Sequence, residues 1–274
     1  MGKTYFSIIT ICYNVENEIE ATLKSVYDQK YSNYEYIVID GASTDNTLAI
    51  VEKYKELFTE SKIRMIFISE KDKGIADAFN KGIKLASGDF IGLINAGDRL
   101  MPNSLNIIND FLEEDDEIIY GKTLFVDEKH HLEYLRPIPE NLDLSQMKYN
   151  GLVFTHQSAF VKKAVYDKFG LYDTNYKIIM DWDLFLVFYN NGVRFRYCDQ
   201  VLVAMLAGGI STLGTIRMLK EEIQLSKKFG GNSTIKIFLK WLIKYNVIRI
   251  IKDIVKTLFP SLWYTLLGKE RLVK

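Results

Sequence analysis

Over its first hundred residues this chain switches four times between a short β-branched apolar run and a helix-patterned segment, and few folds accept that alternation. Tyr5-Phe-Ser-Ile-Ile-Thr-Ile-Cys12 is a nearly continuous run of the kind found in parallel strands covered on both faces. Glu16 to Gln29 has helical spacing, with Ile19, Leu23, Val26 and Tyr27 on one side. Tyr34 to Asp40 reads as a second strand, and Ser43-Thr44-Asp45 offers N-caps for a helix running to about Lys55. Ile63 to Ser69 is the third strand, Gly74 to Ala86 the third helix, and Phe90 to Ile94 the fourth strand. The pattern predicts an α/β fold with a Rossmann-like, mainly parallel, doubly wound sheet and right-handed crossovers.

Ligands bind such sheets beyond the carboxyl ends of the strands. Here those ends are Thr10 to Asn14, Asp40-Gly41-Ala42-Ser43, Glu70-Lys71-Asp72-Lys73 and Asn95-Ala96-Gly97-Asp98. All four are polar and three carry acids, so a ligand site is the better reading of the edge they share. Asp98 suits a hard divalent cation, Mn²⁺ or Mg²⁺, which takes one or two carboxylates and completes its shell with phosphate oxygens. Ala-Gly-Asp is also good turn chemistry, and both readings stand. Asp40 fits a ribose or base contact, or a helix entry. Ser43, Thr44 and Asp45 already supply caps, which favours the ligand contact.

Beyond Asp98 the pattern loosens. Pro102 to Glu113 is helical, Glu117 to Val126 reads as one or two strands, and Glu128 to Gln146 as a surface excursion. Strand then helix follow over Phe160 to Phe169, a helix over Asp181 to Asn190, and a last strand over Val193 to Tyr197. Asp181 either caps its helix or serves as a general base for an acceptor hydroxyl. His156 is a catalytic candidate or a satisfied core histidine. Gly208-Gly209 allows close backbone approach to a phosphate, or a flexible loop. Cys12 and Cys198 lack metal-site spacing and read as buried small hydrophobes. Neither a Walker A motif nor Gly-x-Gly-x-x-Gly after the first strand is present, which argues against P-loop and dinucleotide-binding proteins.

Taken together, these blocks resemble family-2 glycosyltransferases of the GT-A fold. The likeness rests on Ser7-Ile-Ile-Thr-Ile-Cys-Tyr-Asn14, Val38-Ile-Asp-Gly-Ala-Ser-Thr-Asp45, Ser69 to Gly82, Gly88 to Asp98, His156-Gln-Ser, Asp181-Trp-Asp-Leu-Phe-Leu and Gly208-Gly-Ile-Ser. The look is that of bacterial enzymes building exopolysaccharide, capsule or O-antigen units. The resemblance implies an inverting transfer from a nucleotide-sugar donor, with uridine as the base, to a glycan or polyprenyl-linked acceptor. Thr10, Tyr13, Asn14, Asp40, Lys73, Asn95 and Gly97 are the expected donor contacts, Asp98 the metal ligand, Asp181 the base, and His156 and Trp182 the acceptor side. Two positions depart from the family pattern. Ala96-Gly97 stands where paired acids precede the metal ligand, and Met180 where a second acid is common beside the base. A sugar nucleotidyltransferase and a non-catalytic nucleotide-binding membrane scaffold are the competing readings.

Net charge is zero, which gives no signal for nucleic acid, but the balance is uneven. From Asn232 to Lys274 nine Lys or Arg face only Asp253 and Glu270, so this tail carries +7 and the rest −7. Its lysines recur at multiples of four beside Trp241, Phe238 and Ile243, the pattern of a basic amphipathic helix at an anionic membrane surface. Lysines solvated on a packed helix would look the same. The Tyr5 to Cys12 run reads as a strand rather than a secretory signal, and no apolar stretch reaches the ~18 residues of a spanning helix. The expected organisation is a catalytic domain over 1–214, with nucleotide-binding (1–100) and acceptor (101–214) halves, and a helical basic region over 215–274. The expected location is cytoplasmic, at the inner face of the membrane.

Overall fold

The computed structural model describes residues 3–127, 132–135, 138, 142–206 and 215–243. His130, His131, the Gly208-Gly209 loop and the chain after 243, all named above, lie outside the described residues.

The first half alternates β1 (Phe6–Cys12), α1 (Ile19–Tyr27), β2 (Tyr34–Asp40), α2 (Thr47–Glu60), β3 (Met65–Ser69), α3 (Ile75–Leu85) and β4 (Phe90–Asn95). All seven residues of β1 and of β2 are buried, the physical reason both runs are mostly apolar, and their polar members Ser7, Thr10, Glu35 and Asp40 are all hydrogen-bonded. Side chains alternate between faces. Ile9, Ile11, Ile37 and Ile39 meet Phe79 and Ile83 of α3 on one face. Ile8, Tyr36 and Val38 meet Leu23 and Val26 of α1 and Val51 and Phe58 of α2 on the other. α3 lies so close to the sheet that a Cβ at Gly82 would overlap the Ile9 side chain.

The spatial order β3-β2-β1-β4 is parallel throughout. The chain winds outward from β1 to β3 and returns to the far side at β4. The switch in direction therefore falls between β1 and β4, where open α/β sheets hold ligands.

The second half comprises β5 (Arg99–Leu100), α4 (Ser104–Phe111), β6 (Ile118–Asp127), β7 (Leu132–Leu135), α5 (Met147–Asn150), β8 (Ala159–Lys162), α6 (Lys163–Phe169), α7 (Met180–Asn190) and β9 (Phe195–Leu206). It extends the sheet in the order β4-β8-β6-β9-β5, with antiparallel joins except β6 to β9. Residues 117–126 form one strand rather than two. The last strand runs to Leu206, well past the expected Tyr197. The pairing jumps from Gly121–Cys198 to Lys122–Val201, which leaves Asp199 and Gln200 in an exposed bulge. Those two polar residues interrupt the apolar pattern without ending the strand.

Two further helices follow, α8 (Ile216–Phe229) and α9 (Thr234–Leu242). Thr215 and Ser233 cap them by accepting from Met218 N and Lys236 N, and Gly230 closes α8 in the left-handed conformation at φ 69°. Among the described residues no helix is long and apolar enough to cross a membrane.

Candidate active site

The turn after β4 sits at the switch point. Asp98 N donates to Asn95 O at 3.0 Å, and Gly97 takes φ 96°, which an L side chain rarely adopts. The Thr22 hydroxyl of α1 fastens the turn, accepting from Gly97 N at 2.9 Å and donating to Asp98 O at 2.7 Å. Asp98 itself is only 5% exposed. One carboxylate oxygen accepts from Gln157 Nε2 at 3.0 Å, the other from Leu206 N at 3.2 Å. Burial pushes its pKa up to about 6, against the opposing pull of Gln157, Leu206 N, His156 and Asn95.

Gln157 belongs to a single 3-10 turn, His156–Ser158, which enters β8. Its neighbour His156 points Nδ1 at Asp181 Oδ2, 3.3 Å away in the first turn of α7. His156 Nε2 is buried and has no partner, and the ring meets Phe79 edge-on at 5.8 Å. Two adjacent residues of one turn thus reach the two carboxylates singled out in the sequence. Gln157 was missed as a candidate, because an uncharged side chain in a short polar block gives no chemical signal.

The other expected residues divide. Tyr13 is 60% exposed, Asn14 and Lys73 are exposed and Asn95 is half-buried, all at strand ends. Asn14 adopts φ 50°, and its Oδ1 accepts from Thr44 N at 2.8 Å. Thr10 is fully buried inside β1, and its hydroxyl accepts from Tyr36 at 2.9 Å. β1 continues to Cys12, whose buried thiol faces the Asp40 carboxylate at 3.6 Å. Asp40 is also not free. Ser43 donates to it from both N, at 2.9 Å, and Oγ, and Ser69 Oγ donates at 2.6 Å. Ser43 therefore does not cap α2, where Asp45 instead accepts from Thr47 N at 3.0 Å. The Gly97 N–H is spent on Thr22. Trp182 is turned away from His156, with Nε1 donating to Met147 O of α5 at 2.6 Å. Consecutive helix residues diverge by about 100°, so Asp181 and Trp182 do not share a face.

For a divalent cation the donor set is sparse. Among the described residues no group of three His, Cys, Asp or Glu could hold a metal ion. Asp98 is the single acid of its turn, and each of its oxygens keeps a second lone pair. That set fits a cation arriving on a diphosphate and does not fit a preformed protein cage.

A doubly wound sheet with its polar switch point, extended by an antiparallel half that brings a second carboxylate to the same place, defines a GT-A enzyme. The chain belongs to glycosyl transferase family 2, whose model matches residues 7–170, and it is a glycosyltransferase. It is 26% identical over 246 residues to a PGL/p-HBAD biosynthesis glycosyltransferase of Mycobacterium tuberculosis, covering 88% of this chain and 92% of that one. Among solved structures, S. aureus TarS 1-349 in complex with UDP-GlcNAc superposes with a TM-score of 0.65 at 18% identity, covering 97% and 80% of the two chains. The mannosyltransferase PcManGT from Pyrobaculum calidifontis, in complex with GDP-Man and Mn²⁺, gives 0.65 at 17% identity with the same coverage. At these identities the two structures speak for the fold.

Proposed function

We propose that this glycosyltransferase moves a sugar from a nucleotide-diphosphate donor, a UDP-sugar by family likeness, to a hydroxyl of a glycan or lipid-linked glycan in bacterial surface-polysaccharide synthesis. One observation carries the reading: the His156–Gln157 turn links Asp98, at the end of β4, to Asp181, at the start of α7. In this reading Asp181 is the base and takes the acceptor proton. The acceptor oxygen forms a bond to the anomeric carbon from the face opposite the leaving group. The bond from that carbon to the diphosphate oxygen breaks, and its electron pair leaves with the nucleoside diphosphate. Direct displacement inverts the anomeric centre. His156 Nδ1 orients Asp181, and Nε2 is left to face the acceptor. Asp98 would hold Mn²⁺ or Mg²⁺, which neutralises charge on the departing diphosphate. Tyr13, Asn14, Lys73 and Asn95 line the donor side, and Asp40 acts on the nucleotide through Ser43 and Ser69.

Asp181→Asn tests the base. Transfer is expected to fall roughly 10²- to 10⁴-fold while donor affinity stays within about twofold. Unchanged transfer would remove Asp181 from the mechanism. A thermal-shift screen of nucleotide sugars with and without Mn²⁺ identifies donor and cation together.

An anionic membrane surface is the further partner of this reading, with the enzyme peripheral at the cytoplasmic face. Support comes from α9, which exposes Ile235, Phe238, Leu239, Leu242 and Ile243 along one stripe while Ile237 is buried. That spacing, followed by a basic tail, suits an interfacial helix. The full chain is expected to float with anionic vesicles and the double variant Phe238→Glu, Leu242→Glu to sediment. Equal flotation of both proteins counts against membrane docking.

A further inference from the structure

Within the first turn of the helix that carries Asp181, the Oδ1 of that residue accepts from Trp182 N at 2.8 Å. The N-cap of the helix, Ile179, makes no side-chain cap bond. Helix starts leave backbone N–H groups without partners, and these are ordinarily met by a local Ser, Thr, Asp or Asn. Here the segment that leads into the helix, up to its N-cap, is held from another helix. Glu221, midway along α8 and 6% exposed, accepts from Lys177 N at 3.0 Å, Ile178 N at 3.0 Å and Ile179 N at 3.3 Å. Arg217, one turn earlier on α8, donates to the same carboxylate at 3.2 Å.

A second link lies two turns further along α8. Lys228 Nζ reaches Asp183 Oδ1 at 2.7 Å, and Asp183 is 2% exposed. α8 therefore grips α7 immediately before Asp181 and immediately after it. From the other side, Lys177 Nζ donates to Lys73 O at 2.7 Å, which ties the same entry segment to the loop after β3. All these bonds converge on one turn of backbone, and the carboxylate on that turn has to stay aligned with His156 Nδ1.

We propose that Glu221 is a positioning residue for catalysis, supported by Lys228: it fixes the first turn of α7 so that the Asp181 carboxylate is held at the acceptor. The proposal rests on the reading of Asp181 as the base. Proton abstraction is sensitive to small displacements, and a misplacement of about 1 Å can cost on the order of 10²-fold in rate. Of the donor-side residues, Asn14, Asp40 and Gly97 are held by Thr44, Ser43 and Thr22, and Lys73 alone shares a bond with the entry segment, through its carbonyl, while its own N donates to Asp77. Loosening α8 therefore lowers turnover without weakening the nucleotide.

The test measures kcat, acceptor KM, donor Kd and Tm for full-length Glu221→Ala, Glu221→Gln and Lys228→Met. Lys227→Ala, on the solvent side of the same helix, serves as the control. Glu221→Ala is expected to lower kcat about 30- to 100-fold, with donor Kd and acceptor KM within about twofold. Glu221→Gln, which keeps one acceptor oxygen, falls between it and the wild type. Lys227→Ala keeps full turnover. In an Asp181→Asn background, Glu221→Ala removes no further residual activity, because both changes act on the same step. If Glu221→Ala does not fold, Glu221→Gln and Lys228→Met give the same readout.

Three results overturn the proposal. One is normal kcat in the Glu221 variants while Asp181→Asn is inactive, which leaves the base reading intact. Another is a parallel loss of kcat and donor affinity that tracks Tm, the mark of a merely structural residue. The third is normal transfer by Asp181→Asn, which removes the base reading and the proposal with it.

Discussion

Two buried carboxylates stand at opposite ends of the same parallel strands and are treated in opposite ways. Glu35, near the start of β2, is fully buried. It accepts from Ser7 Oγ at 2.6 Å, Ser87 N at 2.6 Å and Ser87 Oγ at 2.8 Å, and it pairs with Arg64. Burial alone would raise its pKa, but those four partners outweigh it and hold Glu35 below its ordinary value. Asp98, at the other end, accepts from neutral groups only, Gln157 Nε2 and Leu206 N with a weaker pull from Asn95, and its pKa rises to about 6. The protein has neutralised one charge with its own groups and left the other for something else to complete. The first arrangement is a clasp. The second leaves room for the cation that the proposed function calls for.

The largest effect expected from this contrast is on stability at Glu35. Glu35→Ala strands the buried Ser7 and Ser87 donors, while the half-exposed Arg64 returns to water, and each stranded donor costs about 1–3 kcal/mol. Tm is expected to fall by on the order of 10 °C in calorimetry, with donor Kd unchanged. Because Glu35 is depressed when folded, its contribution is present above the unfolded pKa and is lost only as pH falls through the lower, folded value.

Asp98→Asn is expected to do the reverse, weakening Mn²⁺-supported donor binding roughly 10- to 100-fold with Tm within a few degrees. Should it instead behave like the Glu35 variant, losing stability but keeping donor affinity, Asp98 is a second clasp and the contrast collapses.

A smaller effect comes from pH. A cation needs the ionised carboxylate. With the Asp98 pKa near 6, donor affinity in Mn²⁺ is expected to fall about tenfold between pH 7.5 and 5, with its midpoint near 6. Titration calorimetry across that range checks it, and a midpoint near 4 would show an ordinary, solvated carboxylate. For an acid whose folded pKa is raised, ionisation costs stability as pH climbs from the unfolded to the folded pKa. The apo protein should accordingly lose some stability over that interval, and a Mn²⁺-loaded donor should restore it above pH 6.

Gln157→Leu gives the smallest change. Its amide favours the charged form of Asp98, so its loss moves the midpoint upward, by about one pH unit. A downward move would show that Gln157 does not support the carboxylate.

The parallel half was legible because burial on both faces favours apolar, β-branched residues at most positions, and β1 and β2 carry that signature despite a few hydrogen-bonded polar members. The antiparallel half was harder. Asp199 and Gln200 sit in a bulge that breaks the pattern of β9 in mid-strand. At the site, type and place were readable for Asp98, Asp181 and His156, since acids at strand ends and helix starts stand out against apolar surroundings. Thr10 was given a donor contact by family resemblance, and nothing in the sequence pointed to its hydrogen bond with Tyr36. Ser43 misled, being read as a cap when it holds Asp40.

Sequence alone determined the α/β alternation, the polar strand ends along one edge of the sheet and the family to which the chain belongs. These are properties of local pattern, and local pattern is set by which faces are buried. Tertiary structure decided which groups act together. The turn of His156 and Gln157 reaches Asp181 and Asp98, and Glu221 holds the entry to a helix 42 to 44 residues before it in the chain. A hydrogen bond depends on distance and direction in space, and neither is written in the spacing of residues along the chain.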